Sequence, residues 1–263
     1  MANPDTEQVW RGLLQNGEFT FMRRWRPIFS QLPSDPRCKI CHAPFRGLGG
    51  TIARSVFKKR PSQFNPKFCN TCEDFAREYP GGAEGPMAML FTDVRGSTTL
   101  AEKMSPSEFG GLINRFYRVA TQILTGSDAL IEKLAGDSVT ALYFPGFAGP
   151  DYAGQAVRAA QELARATGYT DPEGPWIQIG IGVHAGVAFA GTVGSKDGMS
   201  EFAALGDAMN VAARLCSQAA AGEILVSEEA CNLAKLNTDG IEQRHLSLKG
   251  RSEQAHVRVI RAA

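Results

Sequence analysis

No apolar run in this 263-residue chain approaches the roughly 20 positions that a helix needs to cross a bilayer. The opening residues, MANPDTEQVW, lack the basic-then-apolar pattern of a secretory signal. These two absences set the expectation of a cytoplasmic protein with no transmembrane segment. Fixed-period repeats and low-complexity tracts are missing as well, which argues against a solenoid or a disordered tail. Net charge is nearly absent at +1, so the total selects no class of partner. Acidic residues are scarce in one place. Between Arg23 and Lys67 the cations Arg23, Arg24, Arg26, Arg37, Lys39, Arg46, Arg54, Lys58, Lys59, Arg60 and Lys67 face only Asp35.

What is present begins with 43% hydrophobic residues, enough for a proper core in one large domain or two smaller ones. Residues 1–34 read as an N-terminal helical segment, with Trp10, Leu13 and Leu14 on one helix face. It reads as a helix docked on a neighbour or as a sensor or dimerisation element. Residues 35–79 carry Cys38-x2-Cys41 and Cys69-x2-Cys72. Without a secretion signal, the six cysteines of the chain point to thiols or metal ligands rather than disulfides. Each pair has the spacing that aims two sulfurs at one tetrahedral ion, and four thiolates close the shell. The expectation is one structural Zn2+, with an iron–sulfur or redox dithiol site as the alternative and His42 as a bystander or a substitute ligand. The loop between the pairs is rich in glycine and proline, and a region so small needs a staple.

The basic stretch reads either as a solvated face or as a docking surface for an anionic partner: nucleic acid, an acidic protein or a membrane. Trp25, Phe45, Phe57 and Phe64 could stack on bases or form the small core of the module. Residues 80–86, PGGAEGP, read as a linker before a domain at 87–263.

Two acidic turns carry the chemistry. In MAMLFTDVRGST (Met87–Thr98) an apolar strand ends at Asp93 and enters a turn at Gly96 with Ser97 and Thr98 behind it. Hard oxygens beside free backbone N–H groups suit a cation next to a phosphate. An ordinary strand-to-helix turn with an aspartate cap would show the same letters. In DALIEKLAGDSVTALYF (Asp128–Phe144) two strands flank a tight Ala135–Ser138 turn that holds Asp137. Two carboxylates brought together repel unless cations offset them. A pair of divalent ions does so, at about 3.5–4 Å apart in phosphoryl-transfer sites.

FTDVRGST, EKLAGDSVTALYF and ALGDAMNVAARL, in this order, resemble the class III nucleotidyl cyclase domain over about Pro86 to Ile260. The resemblance implies that Asp93 and Asp137, with Val94, hold two Mg2+ or Mn2+ per site. It implies that Lys133 reads the purine, that Asn210 and Arg214 orient the ribose and stabilise the transition state, and that Lys249 contacts the terminal phosphates. Gly96, Ser97 and Thr98 then cradle the phosphates. Lysine at 133 suits ATP, because an ammonium only donates and adenine N1 accepts. In the family the metal and purine-binding halves come from two chains. This chain carries both, so a homodimer making cyclic AMP is expected. Ala203 departs from the family pattern, since it stands where aspartate or threonine pairs with the purine. The rivals are a guanylate or dual-specificity cyclase, a diguanylate-cyclase-like enzyme, and a catalytically weak signalling dimer.

The fold class expected is α+β, ferredoxin-like, with an antiparallel sheet and helices on one side. Ser105-Pro106-Ser107-Glu108 marks a capped helix whose face runs from Phe109 to Leu124. Trp176–Val187 and Phe189–Ser195 read as two strands, with His184 a structural histidine. Asp207 reads as the N-cap of a helix from Ala208 to about Gln218, and a further helix is expected near Glu228–Lys235.

Overall fold

The computed structural model describes residues 4–18, 20–33, 36–38, 40–62, 68–194, 200–247 and 254–261. The chain forms two compact units. The first comprises Met1–Gly85, Pro145–Phe147 and Ala188–Leu205, and the second Pro86–Phe144, Ala148–Val187 and Gly206–Ala263.

The first unit opens with α1 (Pro4–Arg11), which runs into a π-helical turn at Gly12–Asn16, then α2 (Thr20–Gln31), α3 (Gly47–Phe57) and α4 (Asn70–Glu78). Trp10, Leu13 and Leu14 are buried, as their helical spacing predicts. The Trp10 indole also spends its polar handle, since Nε1 donates to the Tyr79 carbonyl at 2.8 Å. Phe57 meets Trp25 and Phe29 edge-on at 4.8 and 5.0 Å, and Phe45 is buried. Phe29 and Phe45 are core, and the half-buried Trp25 and Phe57 pack against Phe29, which favours the module-core reading of these aromatics. Phe64 lies outside the described residues.

The sheet begins with β1 (Gly82–Val94), so most of the stretch read as a linker is strand. Its glycines answer to close packing rather than flexibility. A Cβ on Gly82 would sit 2.3 Å from the Ala190 carbonyl oxygen, and one on Gly191 would sit 2.3 Å from Gly82 Cα. Two backbones approach there at a distance that only glycine permits.

After β1 come α5 (Ser97–Lys103), α6 (Pro106–Gly126), the hairpin β2 (Leu130–Ala135) and β3 (Ser138–Tyr143), the short α7 (Pro145–Ala148) and α8 (Tyr152–Ala164), which continues as a π-helical turn to Tyr169. The chain then forms β4 (Ile179–Gly194), β5 (Ser200–Leu205), α9 (Asp207–Gln218), β6 (Glu223–Ser227), α10 (Glu228–Leu233), β7 (Gln243–Ser247) and β8 (Gln254–Arg261). The sheet order is β2-β3-β1-β4-β6-β8-β7, with β5 paired to β4. Its first four strands have the ferredoxin-like order. Three details differ from expectation. The segments 176–187 and 189–195 are one strand, starting at Ile179 and followed to Gly194, because the glycines at 186 and 191 do not turn the chain. Gly206 occupies the cap position of α9 and Asp207 is its first residue. The sheet is mixed, since β4 and β6 run parallel.

One core lies under α6, α8 and α10, where Phe116, Leu124, Ala156, Leu163, Ile181, Val183 and Val226 are buried together. A second lies under α9, formed by Val211, Leu215, Leu225, Val257 and Val259. Strand β6 is buried at every position, so Leu225 serves one face while Ile224 and Val226 serve the other. Helices therefore cover both faces at this end of the sheet, which corrects the one-sided expectation.

The capping box on α6 is complete: Ser105 Oγ accepts from the Glu108 N–H at 3.3 Å, and Glu108 Oε2 accepts from the Ser105 N–H at 2.9 Å. Ser105→Ala should lower the melting temperature by about 2–4 °C, the cost of one lost cap in a unit of this size. Calorimetry checks this, and Ser105→Asp should restore most of the loss.

Candidate active site

Asp93 ends the apolar run of β1, and its Cα faces Ser138 of β3 across an antiparallel pair. The next residue, Val94, donates its N–H to the Asp137 carbonyl at 3.2 Å. The two acidic turns therefore sit at the same end of neighbouring strands. Both aspartates are half-buried. The β2–β3 turn holds Gly136 at φ 62°, the left-handed region that favours glycine. Tyr117 of α6 supports it by donating to the Gly136 carbonyl at 2.9 Å. Burial, and secondarily the negative charge of Asp137, push the Tyr117 phenol up.

Gly96 also takes a left-handed φ of 67°, with open space where a Cβ would sit. It aims the chain into α5, where Ser97 and Thr98 are the first two residues and their N–H groups have no acceptor within the helix. Lys133 is exposed on β2, opposite Thr140 and just past a register shift between Ile131 and Lys133. Asp137 is on the same hairpin.

Asn210 and Arg214 lie one turn apart on α9, Asn210 exposed and Arg214 half-buried. The helix is seated by Gly182 of β4, where a Cβ would come 2.3 Å from the Cys216 nitrogen and 2.7 Å from the Ala212 carbonyl oxygen. Among the described residues, no hydrogen bond or ion pair links Asn210 or Arg214 to Asp93 or Asp137 of the same chain. Ala203 is half-buried on β5 opposite Gly191. Lys249 lies outside the described residues. His184 is buried and hydrogen-bonds through Nδ1 with Ser227 Oγ at 2.8 Å, a structural arrangement.

Sequence reasoning passed over Arg95. Its guanidinium forms an ion pair with Asp93. The signal was its position, one residue past the strand end and one before the turn glycine.

The residues fit a divalent cation. Asp93 Oδ1 is buried and receives no directed hydrogen bond, and Asp137 comes from the adjacent turn. Such oxygens suit a hard cation.

A second cluster lies in the first unit. Cys38, Cys41, Cys69 and Cys72 are all buried and their sulfurs fall within 4.8 Å of one another. A turn closed by the His42 N–H on the Cys38 carbonyl at 3.0 Å carries the first pair. Cys69 immediately precedes α4 and Cys72 is in its first turn. The Cys41 and Cys69 sulfurs are 3.6 Å apart, close to the roughly 3.8 Å edge that four Zn–S bonds of about 2.3 Å impose on a tetrahedron. The Cys69 N–H donates to Cys38 Sγ at 3.2 Å. Burial pushes the Cys38 thiol up and neighbouring sulfurs raise Cys72, while those sulfurs hold Cys69 far below the ordinary thiol range. The set can hold a metal ion. The His42 ring is engaged elsewhere, with Arg26 at 3.1 Å and Ser30 at 2.7 Å. Of the basic stretch, Arg24, Arg46, Arg54, Lys58 and Arg60 are exposed and Arg26 is buried, its guanidinium 4.4 Å from the Phe147 ring centre.

Residues 82–260 match the family described as adenylate and guanylate cyclase catalytic domain. The chain belongs to this family. The uncharacterized protein Rv1319c of Mycobacterium tuberculosis is 34% identical over 177 residues, covering 65% of this chain and 31% of that protein. Rv1318c of the same organism is 30% identical over 177 residues, covering 66% and 32%. The chain thus spans about a third of the length of these relatives. Among solved structures, the adenylyl cyclase CyaB from P. aeruginosa superposes with a TM-score of 0.58 at 25% identity, covering 68% of this chain and 96% of that one. The guanylyl cyclase Cya2 gives 0.62 at 22% identity, covering 70% and 95%, which shows the shared fold. Cyclase domains bind nucleotide substrates, use divalent metals and usually function as dimers. Among the described residues, no helix is long and apolar enough to cross a membrane.

Proposed function

We propose that this protein is an adenylate cyclase, converting ATP to 3′,5′-cyclic AMP and pyrophosphate at two sites shared across a homodimer. The observation that carries the reading is the placement of Asp93 and Asp137 at one end of adjacent strands, beside the turn into α5. These two carboxylates and the Val94 carbonyl would hold two Mg2+ or Mn2+ ions, which would supply the acidity the ribose 3′-hydroxyl needs and offset charge on the leaving pyrophosphate. The backbone of Gly96, Ser97 and Thr98 receives phosphate oxygens through N–H groups that the helix leaves unused. The 3′-oxygen bonds to the α-phosphorus, the bond to the β-phosphate oxygen breaks, and the hydroxyl proton passes to solvent.

Asn210 and Arg214 project from α9 of the other subunit. Asn210 orients the ribose, and Arg214 meets the charge that grows on the α-phosphoryl oxygens, the electrostatic contribution expected to dominate. Lys249 serves the terminal phosphates. Lys133 donates to adenine N1. Ala203 offers the base no side-chain bond, which favours a dual-specificity enzyme as the second reading. The four cysteines hold one structural Zn2+, with no coordination position left open for chemistry.

Turnover on ATP and GTP with Mg2+ or Mn2+ tests the assignment. ATP should be the better substrate, and Lys133→Glu should cut kcat/KM for ATP by about 10- to 100-fold, the worth of one charged hydrogen bond. The same change should gain activity on GTP, because a carboxylate accepts from guanine N1. A wild-type preference for GTP refutes the choice of substrate.

A further inference from the structure

The carboxylate that a cation would need already has a positive neighbour. Arg95 pairs with Asp93 Oδ1 through Nη2, and its other terminal nitrogen is fastened elsewhere. Nη1 donates to the Ser217 carbonyl at 3.2 Å and to the Ala219 carbonyl at 3.1 Å, at the C-terminal end of α9. Carbonyls at that end of a helix carry partial negative charge and favour a cation. The backbone is tied too, with the Arg95 N–H on the Gln178 carbonyl at 2.8 Å. Gly180 of β4 leaves the room: a Cβ there would sit 2.9 Å from Arg95 Nε and 3.0 Å from the Ala219 carbonyl oxygen. The guanidinium lies in a slot that most side chains at 180 would fill.

The contact with Asp93 is of another kind. Oδ1 is buried without a directed hydrogen bond, and Arg95 Nε is likewise without a partner. The helix end anchors Arg95, so the charge beside Asp93 is supplied by a side chain held from elsewhere.

We propose that Arg95 is a built-in counter-ion of Asp93, anchored on α9, against which an incoming divalent cation competes. The proposal rests on Asp93 being a metal ligand. Arg95 is a positioning residue: it keeps the carboxylate in place while no metal is bound and weakens the uptake of the metal. When a cation takes Asp93, the guanidinium stays on the Ser217 and Ala219 carbonyls.

The test is Mn2+ binding to the full chain without nucleotide, with free Mn2+ read by electron paramagnetic resonance. Arg95→Gln should tighten Mn2+ binding about five- to tenfold, as expected for removing one partly solvated like charge beside the ligand. Arg95→Lys keeps the charge and should stay within about twofold of wild type. Unchanged or weaker binding by Arg95→Gln overturns the proposal. Asp93→Asn separates the two claims. If it binds Mn2+ as wild type does, the ligand assignment of Asp93 fails. If it loses Mn2+ while Arg95→Gln is unchanged, only the role of Arg95 fails. Melting gives a second readout: with chelator present Arg95→Gln should melt below wild type, and Mn2+ should raise its melting temperature by more. Should Arg95→Gln fold only with Mn2+, the same linkage is met. Equally poor folding with and without Mn2+ counts against it.

Discussion

Mixing Asp93→Ala protein with Arg214→Ala protein should restore about a quarter of the wild-type rate of cyclic nucleotide formation, although each variant alone is inactive. Random exchange makes half of the dimers mixed, and each mixed dimer has one intact site and one site lacking both groups. Each single variant should fall by about 10³-fold or more, because each removes charge stabilisation present only as the α-phosphorus is attacked. The expectation follows from where the chain puts its residues. Asp93 and Asp137 share one end of the β1–β3 pair, whereas Asn210 and Arg214 ride on α9 without a bond to either aspartate. Activity assays after co-refolding or prolonged subunit exchange decide it. Activity that stays at the level of the single variants in a verified heterodimer excludes the shared site. A fully active Arg214→Ala variant excludes the proposed role of that arginine.

Removing the zinc proposed for the four-cysteine cluster should undo the first unit. Cys69→Ser should lower bound zinc from about one ion per chain to none, and should cost that region more than about 5 kcal/mol, since metal affinity at such sites is folding free energy. Cys69 is the most connected of the four: its sulfur is 3.6 Å from Cys41 Sγ, its N–H bonds Cys38 Sγ, and it begins the helix that carries Cys72. Elemental analysis gives the metal. Limited proteolysis between Cys38 and Cys72 gives the folding, and a strong chelator should produce the same cleavage in wild type. Visible absorption from iron would replace zinc with an iron–sulfur centre. Full protease resistance in a metal-free Cys69→Ser protein would show that the buried rings of Trp10, Phe29 and Phe68 suffice without a staple.

Several features were legible because they depend on neighbours in sequence. The α6 capping box needs only Ser105 and Glu108, three residues apart, and the structure has it as read. The β2–β3 hairpin follows from a glycine turn between two apolar runs. The paired CxxC spacings led to the expectation of four converging sulfurs, and they converge. Other features were misread because one residue type has two uses. The glycines at 81, 82 and 85 signal a flexible linker in sequence, yet Gly82 is a close-packing residue against β4. Trp176–Val187 and Phe189–Ser195 read as two strands, yet β4 runs through both. Strand β5 was missed, and so was the second covered face of the sheet, because the apolar centre of β6, Ile224–Val226, shows no alternation that would say which helix goes where.

The sequence by itself determined the family and the identity of the acidic, basic and thiol side chains, because three ordered motifs and two cysteine pairs are statements about residue type and spacing. Tertiary structure alone decided that Asp93 and Asp137 sit at the same end of neighbouring strands, that Arg95 reaches from the first of them to the end of α9, and that α9 covers the face opposite α6 and α8. The physical reason is distance along the chain. Arg95 and Ala219 are separated by 124 positions, and no local propensity records that a guanidinium will find a helix end so far away.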